Sequence, residues 1–245
     1  MQSLLTPTST FRRWAHGSKI AYTLRTEALP SVCHVIRGHV LDLGCGGKPY
    51  RELLGRSAQR WTGLDHSMTA SGRSAANVHG DALALPFASE SFDMVLCTEV
   101  LEHVTAPHVL FQEVRRVLKP DGHLVLTVPQ VNPLHEEPHD YFRVTRYALS
   151  MLAEQNQLEV VAMKRTGGAI ATVGQLVMWH MWHMNWIGRI PLVGAALRSI
   201  VVGSLGSLVL SLDRLSRRNG GSAALLKDTL GWTFVARKVH ASQRQ

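Results

Sequence analysis

The chain predicts an α/β fold with a doubly wound, mostly parallel sheet of seven strands, and three observations predict it. Short apolar runs alternate with helical patterns between residues 39 and 128, as in a parallel sheet covered on both faces. The first run ends in an acid and opens into a glycine-rich turn. Further acids stand where the next two runs end. At 245 residues, 45% hydrophobic and 18% charged, the chain is long enough for one full domain and a sizeable insertion. That composition excludes a disordered chain. Three cysteines, Cys33, Cys45 and Cys97, are too few for a disulfide scaffold and fit no zinc spacing.

The elements follow in order. A helix is expected around residues 18–36. HVLDL (39–43), RWTGL (60–64), ANVHG (76–80), FDMVLC (92–97) and HLVLTV (123–128) read as strands. Residues 107–118 place Val109, Leu110, Glu113, Val114, Val117 and Leu118 at helical spacing, and Pro120 and Gly122 stop that helix. A polar loop (129–144), a helix (145–156) and the strand LEVVAMKR (158–165) come next. An apolar helical insertion then precedes a last strand, GWTFVARK (231–238), expected to be antiparallel. Four regions result: an N-terminal helical segment (1–37), a Rossmann-like domain (38–165), the insertion (166–229), and the last strand with a tail (230–245).

VLDLGCGGKPY (40–50) carries the chemistry. Gly44 and Gly46 permit a sharp turn and leave room for a ligand against the backbone, and amides at the following helix start favour an anionic group. Asp65 ends the second strand, where a doubly wound fold binds a ribose hydroxyl pair, and Asp81 follows the third. A dinucleotide-binding turn would need a third glycine where Pro49 stands. With the segments GDALALPFASESFDMVLCTEVLEHV and RRVLKPDGHLVLTVP, these motifs resemble the class I S-adenosylmethionine-dependent methyltransferases, in particular their type 11 group.

That resemblance covers residues 38–165 and 231–238, and it implies S-adenosylmethionine as cofactor. It puts Asp42, Gly44, Cys45 (by its backbone) and Gly46 around the methionine end. Asp65 falls on the ribose, Asp81, Ala82 and Leu83 on adenine, and Thr98 and Glu99 beside the cofactor. Lys48 stands where the family's third glycine is usual.

The acceptor is expected at PQVNPLHEEPHDYFRVTRYAL (129–149). His135 and His139 are candidates for a base or acceptor-orienting group, since histidine titrates near neutrality, and Tyr141 joins them. The same loop could equally be a hydrogen-bonded lid. His135-x-x-x-His139 has the spacing of metal ligands on a helix, but Pro133 and Pro138 oppose a helix there, so no metal is expected. His103 reads as a supporting residue rather than a base.

Residues 1–159 hold 15 basic and 16 acidic residues, and residues 160–245 hold 11 and 2. The net charge of +8 therefore comes from the C-terminal third. Residues 166–188 carry no formal charge and as a helix would span about 34 Å. Gln175, His180, His183 and Asn185 oppose a transmembrane span, and Gly167, Gly168 and Gly174 interrupt it. Trp179, Trp182 and Trp186 recur at helical spacing with arginines nearby, which suits a helix lying on an anionic membrane surface. His180 and His183 with neighbouring methionines lack a third copper ligand. Three uses of 166–229 stay open: a membrane surface or lipid-linked acceptor, a lid over a hydrophobic small-molecule pocket, and a homodimer contact. Nucleic acid is not expected, because the basic residues are interleaved with aliphatics. No secretory signal opens the chain, so the expected location is cytoplasmic, peripheral to the inner membrane face. The expected activity is methyl transfer to oxygen or nitrogen, with a non-catalytic membrane-surface or scaffold protein as the alternative.

Overall fold

The computed structural model describes residues 19–35, 37–54, 58–67, 75–183, 194–218 and 228–239. The expectations for Met184, Asn185, Trp186 and Arg189 lie outside these. Helix α1 (Lys19–Ala28) leads through a 3-10 segment (Leu29–Val35) into β1 (His39–Leu43), a short α2 (Arg51–Leu54), β2 (Arg60–Asp65) and β3 (Val78–His79). Then come β4 (Phe92–Thr98), a 3-10 turn (Leu101–His103), α3 (Pro107–Val117) and β5 (Leu118–Pro129). The remainder is α4 (Arg146–Gln155), β6 (Leu158–Thr166), α5 (Ala169–His183), α6 (Gly194–Arg218) and β7 (Gly231–Lys238).

The seven strands lie in the order β3-β2-β1-β4-β5-β7-β6. The first five are parallel, and β7 runs antiparallel between β5 and β6. The order reverses between β1 and β4, where an open α/β sheet binds ligands beyond its strand ends. Alternation along the strands divides the core. Leu41, Leu43, Val95, Cys97, Leu124, Leu126 and Phe234 pack on one face with Phe111, Val114 and Leu149. Val40, Met94, Leu96, Val125 and Val235 pack on the other with Leu29, Val32 and Tyr50. A third cluster joins α1, α5 and α6 through Ile20, Leu24, Met178, Val202 and Val209.

Three local expectations change. The helix at 18–36 stops at Ala28 and tightens into a 3-10 segment, since Pro30 has no N–H for an α-helical bond. The third strand shrinks to Val78–His79. No loop separates α3 from β5: Leu118 is extended and pairs with Phe92, and the surplus residues appear as a register shift between Phe92 and Met94. Asp121 lies in that stretch at φ +58°. Helix α4 starts as its sequence predicts, with Ala148 N donating to Thr145 Oγ1 at 3.3 Å. Among the described residues no helix is long and apolar enough to cross a membrane.

Candidate active site

The ends of β1 and β2 build one side of the site. Gly44 and Gly46 take φ values of +69° and +46°, a region that other residues enter at a cost. Their turn is clamped to β2, with Gly44 N and Cys45 N both donating to Leu64 O at 2.9 and 3.0 Å. Gly46 N donates to Asp65 Oδ2 at 2.6 Å and His66 N to Asp65 Oδ1 at 2.7 Å. A Cβ on Gly44 would strike Val100 Cγ2 at 2.2 Å, whereas one on Gly46 would meet nothing within 4 Å. The turn is therefore packed underneath and open above. Lys48 donates to Asn77 Oδ1 at 2.9 Å, just before β3, and Gly63 N of β2 donates to the same oxygen at 2.9 Å.

Asp42 is buried beneath this turn. Trp61 Nε1 donates to its Oδ2 at 3.2 Å, while its Oδ1 meets no hydrogen-bond donor among the described residues. Burial pushes the Asp42 carboxyl up to about 7. Burial, helped by Asp42 and Asp65, also pushes the Cys45 thiol up to about 12, which suits a backbone role for that residue. Asp81 caps its own turn, with Leu83 N donating to Oδ1 at 2.8 Å, and leaves Ala82 and Leu83 half-buried.

Thr98 and Glu99 end β4 on the other side of the reversal. Glu99 sits at φ +55° and accepts from Thr127 Oγ1 at 2.9 Å. Its second oxygen pairs with Arg25, which reaches in from α1. Burial opposes the charge on Arg25, but Glu99, Tyr50 and Glu102 outweigh it and raise its pKa. Ala21, Arg25, Glu99, Val131, Asn132 and Thr166 line a depression here.

The acceptor-loop candidates divide into two groups. His139 Nδ1 and the Tyr141 hydroxyl lie 3.1 Å apart at the surface. His135 is turned inward, with Nε2 at 3.9 Å from Glu102 Oε1, and burial lowers its pKa. None of the three lines the depression beside Glu99. Sequence reasoning missed Arg25 and Glu102. The Glu99-x-x-Glu102 spacing was visible, but nothing local announces that Glu102 is buried. Its carboxyl is raised well above its usual range, first by burial and then by Glu99.

Residues 41–126 match the family model described as "Methyltransferase domain". A ubiquinone biosynthesis O-methyltransferase of Actinobacillus pleuropneumoniae is 33% identical over 100 residues, covering 34% of this chain and 42% of that protein. A sterol 24-C-methyltransferase of Gibberella zeae is 35% identical over 96 residues, covering 34% of this chain and 25% of that protein. The chain thus spans less than half the length of these curated relatives. Two solved structures share the fold at a TM-score of 0.55 each. A putative methyltransferase from Bacillus halodurans is 15% identical, covering 88% of this chain and 99% of that one. The [4+2]-cyclase SpnF is 18% identical, covering 88% and 80%.

Proposed function

We infer that this chain, whose residues 41–126 match the methyltransferase-domain family model, binds S-adenosylmethionine and moves its methyl group to oxygen or nitrogen of a hydrophobic, lipid- or glycan-linked acceptor. The observation that carries this reading is the turn at 44–46, packed below, open above and hydrogen-bonded to Asp65. Fold likeness alone would not suffice, because one of the similar structures is a cyclase.

The donor set fits the cofactor. Asp42, with one buried oxygen short of a donor, suits a neighbouring cation once ionised. Asp65 has both carboxylate oxygens oriented by backbone amides, and a carboxylate at the end of the second strand suits a vicinal diol. Ala82 and Leu83 offer partly apolar contact to a planar base. When bound, S-adenosylmethionine supplies an electrophilic methyl group on a sulfonium centre.

The chain's own contribution is alignment in the main, which is how such a displacement gains most of its rate. Glu99, braced by Arg25 and Thr127, holds the acceptor-side wall of the depression. The apolar character assigned to the acceptor draws on exposed Val173 and Val177 of α5 and Leu208, Leu212 and Leu215 of α6. The two curated relatives, named for ubiquinone biosynthesis and a sterol, agree with it.

Asp65→Ala should weaken binding of S-adenosylhomocysteine by roughly 1–3 kcal/mol through lost charge-assisted hydrogen bonds. Isothermal titration calorimetry reads this directly, and an unchanged affinity would count against the assignment. A scaffold that only keeps the fold would release no S-adenosylhomocysteine from the cofactor when cell extract is offered as acceptor.

A further inference from the structure

The geometry points to a zinc-class metal site built from Glu102, His103 and His135, where the sequence led us to expect no metal. Glu102 stands in the 3-10 turn after β4 and is 0% exposed, yet neither carboxylate oxygen meets a hydrogen-bond donor among the described residues. His103 Nε2 lies 3.6 Å and His135 Nε2 3.9 Å from the same oxygen, Glu102 Oε1. Those gaps are too long for hydrogen bonds. They approach the edge of a coordination tetrahedron, roughly 3.4 Å for bonds of about 2.1 Å. One donor atom from each residue lies within 4.8 Å of the others.

The far side of each imidazole is already engaged. His103 Nδ1 is 2.6 Å from the His139 carbonyl oxygen. His135 Nδ1 is 3.2 Å from the Pro133 carbonyl oxygen, 3.3 Å from Asp140 Oδ2 and 3.3 Å from Asn132 Nδ2, and the two oxygens favour a proton on Nδ1. An Nδ1–H donated to a carbonyl or carboxylate leaves the Nε2 lone pair for a metal, and metal-binding histidines are oriented this way. Asp140 is held in turn by both Arg143 terminal nitrogens at 2.7 Å and by His135 N at 3.0 Å. Tyr141 N donates to the Glu102 carbonyl oxygen at 2.8 Å, which draws the loop onto the turn. The expectation of no metal weighed His135 against His139; the fold pairs His135 with His103 instead.

Two imidazoles and one carboxylate suit Zn²⁺ or Co²⁺, whereas Mg²⁺ and Ca²⁺ prefer all-oxygen sets. Three protein ligands leave a fourth position, and the two histidine side chains are each 17% exposed, so water or a donor atom of the acceptor can occupy it. Glu99 is not in the set, because Arg25 and Thr127 hold its carboxylate. The site stands whether or not the chain transfers methyl groups.

The test uses the full chain, stripped with a chelator and titrated with ZnCl₂ by calorimetry and with CoCl₂ by visible absorption. One tight equivalent of Zn²⁺ is expected, with a Co²⁺ band of low coordination number and at least 100-fold weaker binding of MgCl₂. Glu102→Gln, His103→Ala and His135→Ala should each weaken the Zn²⁺ equivalent at least 100-fold, and Asp140→Asn by 10- to 100-fold. The His180→Ala/His183→Ala double variant, altered at exposed histidines of α5, should keep it. Binding of S-adenosylhomocysteine shows that each variant is folded and reports on the cofactor half separately. A wild-type chain without a stoichiometric Zn²⁺ equivalent overturns the proposal whatever the variants do, and leaves the cluster as groups sharing a proton. Retention of the equivalent in folded Glu102→Gln and His135→Ala overturns it as well.

Discussion

A carboxyl group buried short of partners is most stable with its proton on, and Asp42 is such a group. Its pKa is about 7 in the folded chain, against about 3.9 for an unperturbed aspartate. The folded state therefore holds a proton that the unfolded state has released between these values. The contribution to stability is complete below pH 4, falls as pH rises to 7, and is lost above. Asp42→Asn keeps the shape without the charge. In the ligand-free protein it should be more stable than wild type at pH 8 by roughly 2–4 kcal/mol, with the gap closing by pH 4. Urea unfolding across that range checks the sign. Asp42 and Asp65 were legible because strand ends announce themselves locally. Arg25 and Glu102 were not: the first is one charge on an amphipathic helix, meeting Glu99 across 74 residues. The second reads as a surface acid until the loop at 139–142 closes over it.

Among elements, the packing of α5 on α6 decides what the glycines of the insertion mean. In the sequence Gly174 looks like an interruption; in the structure it lies inside α5 against Val209. A Cβ there would meet Val209 Cγ1 at 2.4 Å. Gly174→Ala gains about 1 kcal/mol in helix propensity and loses about 1–3 kcal/mol to overpacking. The balance should be destabilising in thermal unfolding, and Val209→Ala should restore part of it, a coupling that contact residues show. Asp213 of α6 fastens the same pair. It is buried, accepts from Gly168 N and Ala171 N at 3.1 Å each, and pairs with Arg217 at 2.9 Å. Asp213→Ala leaves two amides at the start of α5 without their acceptor. It should cost about 2–4 kcal/mol, seen as faster hydrogen exchange in α5 and α6 than in β1 and β4. Strands with continuous apolar runs, such as β1 and β4, were legible to within a residue. The join of α3 to β5 was not, because Pro120 and Gly122 signal a turn that pairing with Phe92 overrides.

For the whole molecule, α1, α5 and α6 form a layer beside the sheet with its own apolar cluster. Its outer surface keeps Val173 and Val177 one turn apart on α5, and Leu208, Leu212 and Leu215 along one stripe of α6. Arg214, Arg217 and Arg218 follow on the last turns of α6. If this layer docks on an anionic bilayer, the full chain should co-sediment with vesicles containing phosphatidylserine and be released by 0.5 M salt. Val177→Glu with Leu212→Glu should abolish that binding and leave S-adenosylhomocysteine affinity unchanged. Absence of sedimentation would turn the apolar surface into a lid or a dimer contact.

The position of β7 bears on how the protein is made. Of the seven strands described it is the last to emerge from the ribosome, yet it lies inside the sheet, between β5 and β6. Until residue 231 is available, β6 has no neighbour to join and β5 carries an open edge of seven residues, His123–Pro129. The nascent chain must therefore wait with that edge exposed while α5 and α6 are synthesised. A ribosome stalled within the insertion would hold an incomplete sheet of five parallel strands, a ready template for a stray strand from another chain.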